Sequence, residues 1–217
     1  MNRRLIAEFL GTAGLLIVIV GSGIMGETLA HGNAAIALLA NSLATGAGLY
    51  ALIQTFGPIS GAHFNPAVSF AEVLWKRMSP KDMVSYSVAQ IFGGLSGVAL
   101  THYMFGKQIV QFSTNDRGEL RMYISEIVAT FGLLMVIALS GKKNVEATPT
   151  AVALFITSAY WCTSSTSFAN PAVTIARSFT DTFTGIQWTG APGFILAQGI
   201  GALLAFTMAR FISADYK

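Results

Sequence analysis

The sequence predicts an all-α membrane protein with six transmembrane helices and two re-entrant half-helices, arranged as an inverted 3+3 repeat. Three observations carry that prediction. Of 217 residues, 53% are hydrophobic and only 11% are charged, whereas a soluble domain carries about 25% charged residues to cover its surface. The tetrapeptide Asn-Pro-Ala-Val occurs at 65–68 and again at 170–173, each time where a long apolar run breaks. Two further motifs also recur. Glu8-Phe9-Leu10-Gly11-Thr12 matches Glu126-Ile127-Val128-Ala129-Thr130, and Gln90-Ile91-Phe92-Gly93-Gly94 matches Gln198-Gly199-Ile200-Gly201-Ala202.

The first expected span is 4–26. Arg3-Arg4 followed by an apolar run resembles a secretory signal, but Glu8 interrupts the run and no small-residue cleavage pattern follows, so it reads as a spanning helix. The next span is 34–56, followed by irregular backbone at Gly57-Pro58-Ile59-Ser60-Gly61 and a short apolar segment, Pro66–Trp75. Spans 82–105, 122–141 and 148–166 come next, then Ser164-Ser165-Thr166-Ser167, a second short segment Pro171–Phe179, and a last span at 190–212. Each long run approaches the ~20 residues that a bilayer requires. At about 1.5 Å per residue the two short ones reach half-way. Asn is a strong N-cap and Pro is favoured at the first helical position, so each Asn-Pro pair opens a half-helix. Irregular backbone at that depth is tolerated where it lines a wet cavity or lies inside protein.

Three spans per half is an odd number, so the second copy is inverted relative to the first. The expected organisation is one domain, 1–217, with repeat one at 1–106, a loop at 107–121 and repeat two at 122–217. Charge sets the orientation. With the N-terminus inside, Arg3, Arg4, Lys76, Arg77, Lys81, Lys142, Lys143, Arg210 and Lys217 are cytoplasmic. Lys107, Arg117 and Arg121 are external, and nine against three satisfies the positive-inside bias. A multi-pass protein of the plasma (inner) membrane, with both termini cytoplasmic, is expected. The sequence pI near 9.1 does not point to nucleic acid, because the basic residues are dispersed between apolar runs. Cys162 is the only cysteine, so neither an internal disulfide nor a thiol metal cluster is expected. It reads as a buried helix residue, near enough to the outer vestibule for a thiol reagent to block. No cofactor or metal is expected, and no nucleophile–base pair suggests an enzyme.

Half-helices that start inside the membrane place two partial positive charges at its centre. Asn65 and Asn170 can cap those helices with their oxygens and present N–H donors to a lumen. Water and neutral hydroxyl compounds are oriented by such donors, while cations and protons meet a barrier. Glu8 and Glu126 are intramembrane carboxylates that need partners. Proton coupling, as in a secondary transporter, is one reading. The favoured one is that each accepts hydrogen bonds from the unwound backbone before its half-helix. His63 either lines the pore, with a pH-dependent gate as one use, or packs the loop.

Ser60-Gly61-Ala62-His63-Phe64-Asn65-Pro66-Ala67-Val68, the second Asn170-Pro171-Ala172, and the paired glutamate and glutamine motifs resemble the aquaporin and glycerol-facilitator superfamily over essentially the whole chain. The resemblance implies the aquaporin fold, a homotetramer in the lipid bilayer and one pore per protomer. Most members carry Asn-Pro-Ala-Arg at the second motif, and that arginine forms the outer constriction; here the residue is Val173. Counting from the motifs onto the family's other constriction positions gives Thr45, Ser158 and Ser167, an expected filter that is small and uncharged throughout. Without arginine it should be wide. The run Phe168 to Phe179 is similar to bacterial members associated with arsenic resistance operons, which implies passage of arsenous acid, As(OH)₃, besides water and glycerol. A strict water channel stays open as an alternative. Arg177 lies one turn beyond Val173. It reads either as a displaced filter arginine in the vestibule or as a snorkelling residue that neutralises the helix end or pairs with Asp181.

Overall fold

The computed structural model describes residues 2–140 and 147–213. Lys142, Lys143 and Lys217 of the charge reading lie outside them. The described residues form eight α-helices and no strand: α1 (Arg3–Leu29), α2 (Ala34–Ser60), α3 (Pro66–Leu74), α4 (Pro80–Met104), α5 (Leu120–Ser140), α6 (Thr148–Cys162), α7 (Pro171–Arg177) and α8 (Ala191–Ile212). Five of them, α1, α2, α4, α5 and α8, are long and apolar enough to cross a bilayer. The sixth expected span, 148–166, is helical over 15 residues only, about 22 Å at the helical rise. The chain is a multi-pass membrane protein.

Local chemistry sets the helix ends. Asn2 and Asn33 cap α1 and α2 through their side-chain oxygens. At α4, Ser79 Oγ accepts from Asp82 N at 3.0 Å and donates to the Asp82 carboxylate at 2.7 Å, with Pro80 at the first helical position. The expected break at 57–61 is displaced: α2 continues through Pro58 to Ser60. A proline in the last turn removes one helical hydrogen bond rather than several. Gly61 then ends the helix in the left-handed region at φ 87°, its N–H donating to Gly57 O at 2.9 Å.

Within the first half α1 packs on α2 and α4; within the second, α5 packs on α6 and α8; α2 against α6 joins the halves. Small residues make these crossings close. A Cβ on Gly93 or Gly97 would collide with the α1 carbonyls of Phe9 and Ala13. In the second half a Cβ on Gly201 would lie 2.6 Å from Ile127 O. Spacing of small residues at four, as in Gly93 and Gly97, lets membrane helices approach at backbone distance. Leu10, Leu39, Phe92, Leu154, Leu196 and Phe211 point outward, forming an apolar belt suited to hydrocarbon. The half-helices α3 and α7 pack inside this frame, α3 on α4 and α8, and α7 on α4 and α8.

Two termini and one central clasp: the candidate conduction site

Two short loops converge at the centre of the molecule, residues 61–64 before α3 and 166–169 before α7. Their backbones follow one pattern. Gly61, Ala62 and Phe64 have positive φ in the first, and Thr166, Ser167 and Ala169 in the second, each 105 residues later. Left-handed backbone at non-glycine residues is costly and persists only where its surroundings fix it. Here buried carboxylates fix it. Glu8 accepts from His63 N at 3.0 Å, Phe64 N at 2.7 Å, Ser60 Oγ at 2.6 Å and Gln90 Nε2 at 2.7 Å. Glu126 accepts from Phe168 N at 2.9 Å, Ala169 N at 2.8 Å and Gln198 Nε2 at 2.7 Å, with Ser165 placed as Ser60 is. Both glutamates are fully buried, and neither lines the cavity described below. Each carboxylate accepts from the unwound backbone before its half-helix and from one glutamine.

The asparagines do two jobs at once. Asn65 Oδ1 accepts from Ala67 N at 2.8 Å, and Asn170 Oδ1 from Ala172 N at 2.9 Å and Val173 N at 3.3 Å, so each caps its half-helix. Pro66 and Pro171 occupy the first helical positions, and Ala67 and Ala172 are buried behind them. Each amide also reaches across to the other loop. Asn65 Nδ2 donates to Ala169 O at 2.7 Å, and Asn170 Nδ2 donates to Phe64 O at 2.8 Å. A carboxamide has two N–H groups, so one remains on each for a solute.

Both asparagines line a cavity of about 300 Å³. Its apolar wall is built from stripes at helical spacing: Leu15 and Ile19 on α1, Leu49 and Ile53 on α2, Leu133 and Ile137 on α5, Val152 and Ile156 on α6. The inverted repeat is visible in this wall, since Leu133 and Ile137 follow Leu15 and Ile19 by the same 118 residues that separate Glu8 from Glu126. His63 lines the same cavity while its Nδ1 meets Ser69 Oγ at 3.0 Å and its ring packs 5.2 Å from that of Tyr86.

Of the four expected filter residues, Thr45, Ser167 and Val173 line the cavity. Ser167 Oγ is buried without a protein partner. Ser158 does not line it. Its side chain is exposed on the outer face of α6, and its hydroxyl donates back to Phe155 O at 2.8 Å. Thr148, Val152, Ile156 and Tyr160 form the lining stripe of α6, and a residue two positions from Ile156 and from Tyr160 points the other way. Tyr160 takes the place expected for Ser158, its OH donating to Thr45 Oγ1 at 3.3 Å. The cavity lining beside Thr45 thus includes a large aromatic side chain rather than small residues alone. Cys162, expected to be buried, is exposed and absent from the lining.

Arg177 also lines the cavity, although only 2% of it is accessible. Its Nε donates to Thr184 O, and its guanidinium lies 3.4 Å from the centroid of the Phe168 ring, a cation–π contact. It does not pair with Asp181. Helix α7 ends at Arg177, so the i+4 geometry is lost, and the Asp181 carboxylate accepts instead from Thr114 N and Oγ1, both at 2.9 Å. Arg117, from the loop between α4 and α5, supports the same corner. It donates to Gly185 O at 2.9 Å and Ser165 O at 3.1 Å. Burial draws this guanidinium below the ordinary arginine range, with Glu126 opposing the shift, and it stays charged. Tyr160 and Glu72, which line the cavity, are not singled out by the sequence, where Arg117 counts only as an external charge.

Comparisons with known proteins agree with this architecture. The major intrinsic protein family matches residues 1–161. The aquaglyceroporin AqpS of Rhizobium meliloti is 46% identical over 212 residues, covering 98% of this chain and 91% of that protein. A glycerol uptake facilitator protein-like 6 of Lactiplantibacillus plantarum is 26% identical, covering 98% and 99%. The X-ray structure of the aquaglyceroporin from Plasmodium falciparum superposes with a TM-score of 0.78 at 21% identity, covering 99% and 98% of the two chains, a likeness of fold. With a family match over most of its length, a near-full-length relative at 46% identity and two Asn-Pro-Ala half-helices clasped at its centre, this chain belongs to the major intrinsic protein family.

Proposed function

We propose that this protein is a passive channel for small uncharged solutes, conducting water, glycerol and arsenous acid. Members of its family are channels rather than enzymes, and the family supports passage of water, glycerol or both. The observation that carries the reading is the central clasp. Two asparagine amides, each with one N–H uncommitted, face a cavity whose remaining wall is largely aliphatic. A neutral hydroxyl solute exchanges water for those donors and for the buried Ser167 hydroxyl. A cation meets donors, helix N-termini and the Arg177 charge.

Passage of solutes larger than water is supported by Val173, which presents an aliphatic surface where a guanidinium would otherwise project. The proposed filter is Thr45, Tyr160, Ser167 and Val173, with Arg177 as a vestibule arginine held against Phe168. His63 is read as part of the pore wall and Glu8 and Glu126 as structural carboxylates, which keeps the two glutamates that a proton-coupled carrier would use out of the cavity lining. One channel domain, a homotetramer in the plasma membrane and cytoplasmic termini complete the proposal. Among the described residues Arg3, Arg4, Lys76, Arg77, Lys81 and Arg210 support that orientation.

Stopped-flow light scattering on vesicles containing the purified protein tests this, comparing water, glycerol and arsenous acid. All three are expected to pass, with rates insensitive to a proton gradient. Water passage with exclusion of both larger solutes would establish a strict water channel and refute the wide filter. The substitution Arg177→Ala is expected to raise cation leak while neutral flux persists; unaltered selectivity would remove Arg177 from the vestibule role.

A further inference from the structure

Glu72 and Arg177 occupy the same position in the two halves. Adding 105 to residues 65, 68 and 72 gives 170, 173 and 177, so the capping asparagine, the valine and the charged residue of α3 each have a counterpart on α7. Both charged residues line the cavity; since both half-helices start at the central clasp and an inverted repeat sends them to opposite faces, their charges belong to opposite ends. Among the described lining residues Glu72 is the sole carboxylate and Arg177 the sole guanidinium.

Local preference does not explain Glu72. It stands near the end of α3, where unpaired carbonyls make the helix end negative and a basic residue is the stabilising choice. Helix α7 has a basic residue in its last turn and α3 has none. The Glu72 side chain is 14% exposed, while its partner Arg77, at 3.4 Å, is 47% exposed. An ion pair open to solvent on one side is heavily screened, so the field inside the cavity remains that of the carboxylate.

The rest of the polar wall has the opposite character. Asn65 and Asn170 offer N–H donors, and Arg177 carries a full positive charge. Such a wall turns cations away but by itself draws small anions. We propose that Glu72 is the anion barrier of this pore, the counterpart of Arg177 as cation barrier, so that only neutral solutes traverse both ends. The assignment rests on the channel reading above.

The test uses the full-length protein in lipid vesicles loaded with a halide-sensitive fluorophore, with chloride added outside and glycerol flux followed in the same preparation. Glu72→Gln keeps the side-chain size and is expected to raise chloride entry about tenfold, with glycerol flux within about twofold of the parent. Arg77→Ala leaves the carboxylate in place and is expected to keep chloride out. Glu72→Leu serves in the same way where the amide variant is not recovered. Variants at Glu72 that pass glycerol but still exclude chloride overturn the assignment. So does a chloride leak in Arg77→Ala equal to that in Glu72→Gln, which would trace the effect to the broken ion pair. A parent protein that passes neither glycerol nor water overturns the underlying channel reading instead.

Discussion

Replacing Glu126 by glutamine separates a scaffold carboxylate from a proton-carrying one. The native carboxylate receives Phe168 N on one oxygen, and Ala169 N with Gln198 Nε2 on the other. An amide keeps one acceptor oxygen and turns an NH₂ toward the remaining donors. Gln198 can relieve part of that conflict by flipping, since its Oε1 has no partner, but the flip withdraws the donor that reaches Thr174 Oγ1 at 2.9 Å. One backbone N–H, that of Ala169 or Phe168, is left unpaired in a dry interior. An orphaned buried donor costs about 1–3 kcal/mol, and the surviving hydrogen bonds lose their charge assistance. The total is about 2–4 kcal/mol, equivalent to roughly 5–15 °C in unfolding temperature for a chain of this size. Thermal unfolding in detergent, followed by the loss of the monodisperse peak, measures it. Glycerol flux is measured in vesicles with and without a proton gradient. The scaffold reading expects a lowered transition and residual flux that ignores the gradient. A variant as stable as the parent, or a gradient-driven component in the parent that the variant lacks, would refute it.

Other expectations follow from the same geometry. Gly93→Leu should abolish folded protein, because its side chain would have to enter the Phe9 carbonyl and α1 cannot retreat without opening α4; recovery of stable, monodisperse protein would contradict the close crossing. Ser167→Leu should cut glycerol flux by about tenfold, whereas Ser158→Leu on the outward face should leave it unchanged, a contrast read in one set of stopped-flow traces. Val173→Arg should depress glycerol and arsenous acid flux more than water flux, since a guanidinium at that site narrows the cavity and faces Arg177 one turn away. Equal loss of all three would assign the effect to misfolding.

The parts of the molecule that could be read from its sequence are those where backbone chemistry dictates residue type. A helix opening inside a membrane needs a cap and a first residue without an N–H to satisfy, and Asn65-Pro66 and Asn170-Pro171 supply both. A strained loop in hydrocarbon needs an acceptor, so the sequence alone matches Glu8 and Glu126 to their loops. Rotation about a helix axis is a different matter. Counting back from Asn170 to Ser158 crosses the irregular stretch 163–169, and two residues of error there turn a lining position into an outward one. Tyr160 escaped for the same reason. The pairing of Arg177 with Asp181 needs a helix that runs on to Asp181, whereas α7 stops at Arg177. Pro58 looked like a breaker because sequence alone does not show that it falls in a last turn. Glu72 had a signal that went unused, its 105-residue offset from Arg177.

The reciprocal amide contacts also bear on how the chain is made. Asn65 bonds a carbonyl 104 residues further along the chain, and Asn170 bonds one 106 residues earlier. During synthesis the first loop therefore emerges with the Phe64 carbonyl unmet, and it waits for nearly half the protein before its partner exists. Long-range closures of this kind are slow and come late. The nascent first repeat is an unfinished object until residue 170 arrives, and α8, which packs on both half-helices, is made only after that.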